Sequence, residues 1–580
     1  MKWEVRNRKS QIANRKSEEK VDLIIKQLLE NRGITEPDEV EEFLNPRPST
    51  PDVLISKVKL DSKQLNKAVG RIHEAIAKNE AIVIHGDYDA DGICGTAILW
   101  EAIYYDLGYK NVTPFIPHRV EHGYGLSKES IDEINNQQST INNQQSSLLI
   151  ATDCGISAVE AIEHAKSLGF DVIITDHHTK GEELPNAVAI LHTYHLSGAG
   201  IAYFLTQKIL KDQPCGPQGW SLQNLQLVTL ATIADLQPLL GVNRMLTKLG
   251  LEELNHTQRI GLQELIKIAG LEGRKIGPYE VGWMLAPRLN AMGRLQDAMD
   301  SLRLLCTKNP HQAKELAEKL NRVNQERQRM TEKAYEQAKN RATEQLKNRA
   351  TQFFVLHHEE WHEGIIGLVA AKISEEFYRP TIAIAKSEKV SKGSARSVSG
   401  VNIIETIRKY SHLLIDAGGH EMAAGFSIET EKIEEFVEQL IVNSDQLINE
   451  KRLDRVLKID LELKLSDITA ALFQALKKLE PHGIGNPKPT FLTRDVEILG
   501  LRTVGSNNKH LKLQIRDSNN ETIKQFNNFS CIGFNLGDWT NKLSVGDRLD
   551  IVYQIQEDTF NGYQTLQLKL KDLRLTNDQS

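Results

Sequence analysis

Only five cysteines occur in 580 residues, and Cys94, Cys154, Cys215, Cys306 and Cys531 are scattered without a single C-x-x-C pair. This excludes a disulfide-built scaffold and a thiolate metal site, and predicts free thiols in a reducing cytoplasm. No apolar run approaches the roughly 18 residues that a membrane span needs. The basic opening MKWEVRNRKSQIANRKSEEK has no apolar stretch behind it, so it does not read as a secretory signal. Aromatic residues are sparse at 6%, and neither sign of charge dominates: 71 Lys+Arg against 77 Asp+Glu leave a net charge of −6. Any nucleic-acid binding must therefore come from local basic patches, not bulk charge. With 40% hydrophobic and 26% charged residues, the chain has the composition of a globular protein and the length of several domains.

Residues 1–59 read as a polar, mostly helical packing extension, with NRKS occurring twice (Asn7–Ser10, Asn14–Ser17) and a helical apolar pattern over Val21–Leu29. From Leu60 onward, short apolar runs alternate with helical stretches. AIVIHG (Ala81–Gly86), SLLIATD (Ser147–Asp153) and DVIITD (Asp171–Asp176) read as strands, with helices at Ile93–Gly108 and about Ser157–Leu168. Nearly continuous apolar strands between helices predict a parallel sheet covered on both faces. The tandem repeat INNQQST–INNQQSS (Ile134–Ser147) reads as a low-complexity surface excursion. PRLNAMGRL (Pro287–Leu295) reads as a loop embedded in helices. Pro310–Asn348 holds no internal Gly or Pro and reads as one long exposed helix, with KNRAT repeated near its end. Between Arg303 and Arg349 there are twelve Lys/Arg against six Asp/Glu, which suits a solvated connecting helix or a basic rail beside a nucleic acid. FFVLHH (Phe353–His358) opens a second α/β unit. The alternating segments HLKLQIRD, SCIGF, RLDIVYQIQ and YQTLQLKLKDL, from His510 to Leu573, predict a small β-barrel of the OB type.

The chemistry concentrates in HGDYDADG (His85–Gly92), where Asp87, Asp89 and Asp91 follow a predicted strand. Carboxylates this close repel, and a divalent cation removes the penalty. An Asp-Gly turn capping the next helix accounts for the same residues without any chemistry. However, the ends of two further strands deliver Asp153 (ATDCG) and Asp176, His177 and His178 (TDHH), and TIADLQP adds Asp235. Repeated delivery of Asp and His to strand ends is not explained by independent caps. Mixed His and carboxylate donors favour Mn²⁺ somewhat over Mg²⁺.

In this order, DYDADG, TDCG, TDHH and TIAD resemble the motifs of the DHH phosphoesterase superfamily. PRLNAMGR, WHEGIIGLVAAKI, GSARS, GGHEMAAGF and PHGIGNPKPTF resemble its RecJ family of single-strand-specific 5′→3′ DNA exonucleases. The likeness runs from about Leu60 to Leu573. It implies an α/β chain: a parallel-sheet DHH catalytic domain (60–305), a connecting helix (306–350), a second α/β, DHH-associated domain (351–450) and a C-terminal OB-like barrel (451–580). It also implies a two-ion Mn²⁺ or Mg²⁺ centre. His85, Asp89 and Asp153 would hold one ion, and Asp91, Asp153, His177 and Asp235 the other. His178 would stand beside the scissile phosphate, supported by Asp87 and Asp176. Arg119, Arg288, Arg294, Ser394, Arg396, Ser397 and His420 would contact the strand. His510 and Lys512, with Phe534, Tyr553 and Tyr563, would contribute from the barrel, although most barrel aromatics are core. Two departures stand out: the loop after Ala189 is short, and His118 replaces the usual Asn. The implied partners are single-stranded DNA, with a single-strand-binding protein and a helicase, for a cytoplasmic monomer in recombination and repair.

Two other readings stay open at this point. A small-substrate DHH enzyme (oligoribonuclease or nucleotide phosphatase) would share only the first two units and would prefer dinucleotides. A replication scaffold with the fold but no catalysis would fail to bind Mn²⁺.

Overall fold

A computed structural model describes residues 2–6, 17–47, 50–123, 125–141, 148–211, 224–348, 351–447, 455–517, 528–558 and 565–576. Two compact units emerge, one of residues 48–237 and 246–455, the other of 1–47, 238–245 and 456–580.

In the first unit, five short strands form a wholly parallel sheet: β1 (Ile82–Gly86), β2 (Val112–Phe115), β3 (Leu148–Thr152), β4 (Asp171–Asp176) and β5 (Ala189–His192). Their order is β2-β1-β3-β4-β5. Every residue of β1 and β3 is buried, which is why these strands read as unbroken apolar runs. The chain leaves β1 on one side to form β2 and returns on the other to form β3. The crevice beyond the carboxyl ends of β1 and β3 is therefore the switch point where such sheets bind ligands.

Helix α1 (Ala90–Glu101) starts before the predicted Ile93, because Asp89 is its N-cap and accepts the N–H groups of Asp91 and Gly92. It passes into a π-helical turn over 102–106. The first copy of the tandem repeat belongs to helix Lys128–Ile141, contrary to the loop expectation, since buried Ile131 and Ile134 anchor it; 142–147 lie outside the described residues. The Pro287–Leu295 loop expectation also fails. The segment forms α4 (Ala286–Leu295), with the proline in its first turn, where no N–H is needed, directly after a π turn at Val281–Leu285. Gly293 is required there, because a Cβ would lie 2.3 Å from the Tyr88 carbonyl oxygen.

The long helix α5 spans Pro310–Asn348, as its composition predicts. Ala313, Ala317, Leu320, Val323, Ala334, Ala338 and Ala342 form its buried stripe. Several of its cations are engaged in ion pairs: Lys319 with Asp300, Lys333 with Glu360 and Lys339 with Glu376. This favours the connecting role over a continuous basic rail. The second sheet has the order β9-β10-β8-β7-β6, from β6 (Phe354–His358), β7 (Thr381–Ala385), β8 (Val390–Arg396), β9 (Leu414–His420) and β10 (Ala423–Glu429); only β6 and β7 run parallel.

In the second unit, β11 (Phe491–Val504), β12 (His510–Asp517), β13 (Phe529–Gly533), β14 (Arg548–Asp558) and β15 (Thr565–Leu575) close into a five-stranded barrel. Strand β11, the longest, has no counterpart in the sequence reading. Ile24, Leu28, Leu29 and Phe43 join the barrel core, so this part of the N-terminal extension packs with the C-terminal unit. Its first residues, Lys2–Val5, are a strand paired with Val456–Ile459. Arg244 is the largest fully buried side chain. Its guanidinium donates to the carbonyls of Phe43, Lys478, Leu479, Glu480 and Pro481, thereby holding the PHGIGNP segment. Among the described residues, no helix is long and apolar enough to cross a membrane.

Candidate metal centre and strand-binding residues

Four aspartates and a histidine converge at the switch point. Asp89 follows β1 as the cap of α1. Asp91, in the first turn of that helix, accepts the N–H groups of Gly198 and Ala199, both at 2.7 Å. These residues open α2 (Gly198–Lys211), whose dipole favours the charge. Asp153 follows β3 in a left-handed conformation (φ 62°), a strained backbone of the kind that functional sites retain. A side chain at Gly198 would place its Cβ 2.6 Å from both Cβ and Oδ1 of Asp153, so only glycine admits this approach. Asp235 caps the end of α3 (Leu225–Ala234), and Leu236 after it is again left-handed.

His177 Nε2 lies 3.1 Å from Asp153 Oδ1 and 3.6 Å from both Asp91 Oδ2 and Asp235 Oδ2. Three overlapping donor sets have their atoms within 4.8 Å of one another: Asp87–Asp89–Asp153, Asp91–His177–Asp235 and Asp153–His177–His178. Asp87 Oδ2, Asp153 Oδ1 and His177 Nε2 are buried with no hydrogen-bond partner. Burial, with Asp89 nearby, raises Asp87 to about 7. Burial raises Asp235 to about 6, and burial followed by neighbouring carboxylates pushes Asp91 and Asp153 well up. Burial also lowers His177 to about 4, leaving a neutral imidazole at neutral pH. Ionised, buried and unpartnered donors are costly unless a cation joins them, so this donor set fits a hard divalent ion.

His85 does not join them. Its Nε2 is 3.2 Å from Ser130 Oγ, its Nδ1 is 3.6 Å from Cys154 Sγ, and its ring lies against Phe115. Its expected place beside Asp89 and Asp153 is taken by Asp87, which the sequence reading cast as a support. The reason is that His85 is still within strand β1 and points into the core, whereas Asp87 has left the strand. Asp176 accepts the N–H groups of Ile156, His177 and His178 and the Nδ1–H of His178. Burial opposes charge on His178, but the hydrogen bond and charge of Asp176 outweigh it and raise the imidazole to about 9.

Around this centre lie arginines that form no direct ion pair with a carboxylate among the described residues. Arg119 donates to the Gly293 carbonyl (2.9 Å) and stacks over the Tyr88 ring (4.1 Å). Arg294 donates to Gly364 O, Arg288 to Asn321 and Met284 O, and Arg396 to Ser394 Oγ and Ala395 O. Burial, followed by Arg119, Arg327 and Arg396, lowers Arg294 to about 10. His420, at the end of β9, meets Thr179 Oγ1 at 3.1 Å, just after the Asp-His-His motif.

Two strand-contact expectations are overturned. Ser397 Oγ is buried and donates to the Val401 carbonyl at 2.6 Å. Tyr553 is fully buried in the barrel with its hydroxyl on Thr493. In the barrel unit, His510 packs edge-on to exposed Phe534, Lys569 lies over that ring, and Lys512 is 3.8 Å from Asp558. Tyr563 lies outside the described residues.

Sequence reasoning missed three contributors. Gln237 Nε2 lies 2.8 Å from Asp235 Oδ2 and 3.2 Å from His177 Nδ1. Asn290 accepts the Ala90 N–H at the start of α1. Arg327 shares the positive field of Arg288 and Arg294. The first two sit inside motifs already singled out, whereas Arg327 is hidden in a charge-rich helix.

The family model for the DHH family, N-terminal domain, matches residues 81–232, that for the DHHA1 domain 350–442, and that for the RecJ OB domain 459–572. The single-stranded-DNA-specific exonuclease RecJ of Bacillus subtilis (strain 168) is 33% identical over 591 residues, covering 100% of this chain and 71% of its own. The crystal structure of RecJ in complex with Mn²⁺ from Thermus thermophilus matches with a TM-score of 0.80 at 28% identity, over 99% of this chain and 79% of that one. The complex with Mg²⁺ from the same organism matches with a TM-score of 0.72 at 26% identity, over 99% and 78%. The strand-end carboxylates, the two sheets, the barrel and these likenesses agree: the chain belongs to the RecJ family of single-stranded-DNA-specific exonucleases.

Proposed function

We propose that this protein hydrolyses single-stranded DNA from its 5′ end, releasing 5′-mononucleotides. The observation that carries the reading is the convergence of buried, unpartnered Asp87, Asp153 and His177 donors with Asp89, Asp91 and Asp235. Asp87, Asp89 and Asp153 would hold one Mn²⁺ or Mg²⁺ ion, and Asp91, His177 and Asp235 the other, with Asp153 shared between them. Bound there, such a pair supplies water activation and stabilises both the attacking and the leaving oxygens of a phosphodiester.

The remaining chemistry belongs to side chains. His178, kept cationic by Asp176, offers a positive charge beside the donors, suited to phosphate oxygens. Arg119, Arg294 and Arg396 form no direct ion pair with a carboxylate among the described residues and would take the phosphates of the strand. Ser394 and His420 approach from the associated sheet. In the barrel unit, His510 and Lys512 would make their own contacts with a strand. A single-strand-binding protein and a helicase are natural suppliers of such a strand in recombination and repair.

The test is digestion of 5′- and 3′-labelled single-stranded and duplex DNA with Mn²⁺, Mg²⁺ or chelator. The 5′ end of single strands alone should be consumed, and only with metal. Asp153→Ala and Asp91→Ala should abolish both cleavage and calorimetric Mn²⁺ binding while the protein stays folded. Retained cleavage by either variant in metal-replete buffer, or a preference for dinucleotides over longer strands, would overturn the reading.

A further inference from the structure

Among the described residues of the first unit, the four most exposed large apolar side chains are Trp283 (72%), Leu236 (68%), Tyr279 (66%) and Val120 (66%). Two of them adjoin functional residues in sequence, and two share one helical stretch. Val120 adjoins Arg119, and Leu236 follows Asp235. Tyr279 and Trp283 stand on the helical stretch that continues into α4, which carries Arg294 in its last turn. The start of that stretch is tied to the metal centre, because the Cβ direction of Gly282 comes within 3.6 Å of Ile233, two residues before Asp235. The Tyr279 and Trp283 rings are stacked, with centroids 6.3 Å apart and planes 28° apart. A tryptophan left this open beside a second exposed ring is not packed into the core and leaves aromatic faces available to a ligand.

The charge on the same helix says what binds. Arg288, five residues beyond Trp283, donates to Met284 O and Asn321, has no carboxylate partner among the described residues, and shares its positive field with Arg327, whose Nε is buried without an acceptor. Flat aromatic faces beside unneutralised arginines suit a ligand that alternates exposed bases with phosphates. A duplex hides its base faces in its own stack; a single strand presents them.

We propose that Trp283 and Tyr279 form a base-stacking platform on the helical stretch that leads through Arg288 to Arg294, which holds bases of the single strand while the neighbouring arginines take its phosphates. The platform is indifferent to sequence, because every base has a π-face, and it selects against duplex. This rests on the nuclease reading above and assigns to it two residues of the catalytic unit itself, apart from the barrel.

The experiment measures binding of a 3′-labelled oligothymidylate of about 20 nucleotides, and of an abasic counterpart with the same phosphates, by fluorescence anisotropy in chelator. Trp283→Ala should weaken oligothymidylate binding roughly 10-fold and abasic binding less than about twofold, Tyr279→Ala should act in the same direction, and Trp283→Phe should retain most of the affinity. Because Trp283 is largely exposed, its replacement does not threaten the fold. Unchanged affinity of Trp283→Ala for oligothymidylate, or an equal loss on the abasic strand, overturns the platform. If the wild-type protein degrades single strands with metal present while Trp283→Ala binds normally, the platform alone fails. If the wild-type protein neither binds nor degrades them, the nuclease reading fails with it.

Discussion

His178 Nδ1 donates to Asp176 Oδ1 across 2.8 Å, and the same carboxylate accepts the backbone N–H groups of Ile156, His177 and His178. One buried aspartate thus fixes the turn that presents two histidines and also sets the charge of the second. This division of labour separates the neutral imidazole of His177, suited to a metal, from the cationic imidazole of His178, suited to a phosphate.

Replacing the charge on Asp176 tests that separation. His178 is raised to about 9, so its cation persists up to about that pH. In Asp176→Asn burial acts with its main opponent gone, so the cation should already be lost at or below the ordinary histidine value of about 6.5. The variant should therefore fall behind the wild type by roughly 10²-fold between about pH 6.5 and 9, where only the wild type keeps the charge, and by much less at low pH. The pH profile of kcat/KM checks this; parallel profiles would mean that the charge on His178 plays no part.

Stability in chelator should respond to pH through the raised carboxylates. Asp87 is raised to about 7 and Asp235 to about 6, both chiefly by burial. The folded state therefore binds their protons more tightly than the unfolded chain, in which they titrate near 4. Their stabilising contribution is complete below that value and is lost as pH rises through about 6 to 7. The denaturation midpoint of the chelated protein should fall across this window. Asp87→Asn should flatten the fall, and added Mn²⁺ should oppose it. Denaturant titrations at a series of pH values measure the slope; a rise with pH would contradict the assignment.

A glycine pair offers a steric test. Gly198→Ala would drive a methyl group against Asp153, whereas a Cβ at Gly70, in helix Ser62–Ala77, meets no heavy atom within 4 Å. Gly198→Ala should weaken Mn²⁺ binding by about 10- to 100-fold, in line with damage to the support of a ligand. Gly70→Ala should leave it unchanged and stabilise the helix by about 0.5–1 kcal/mol. Calorimetric titration and thermal denaturation of the two variants decide the matter.

Much of this molecule was legible before folding. Strand ends carrying Asp or His, at the carboxyl edge of apolar runs, announce a cation site because like charges do not gather without one. The long helix Pro310–Asn348 and strand His510–Asp517 match their sequence patterns closely, since composition and alternation are local properties. Loop and helix were confused at Pro287–Leu295, where an Arg-, Asn- and Gly-rich helix owes its glycine to the close approach of Tyr88.

What the sequence by itself determined is which residue types reach the switch point: the ends of the apolar strands deliver Asp89, Asp91, Asp153 and His177, and the order of the motifs adds Asp235 through the family resemblance. Only the tertiary structure decided that Asp87 and not His85 joins them, that Ser397 and Tyr553 turn inward, and that exposed Trp283 lies on the helix leading to Arg294. The physical reason is that side-chain direction at a strand end, and the neighbour across a helix, depend on contacts between segments far apart in the chain, which no local pattern encodes.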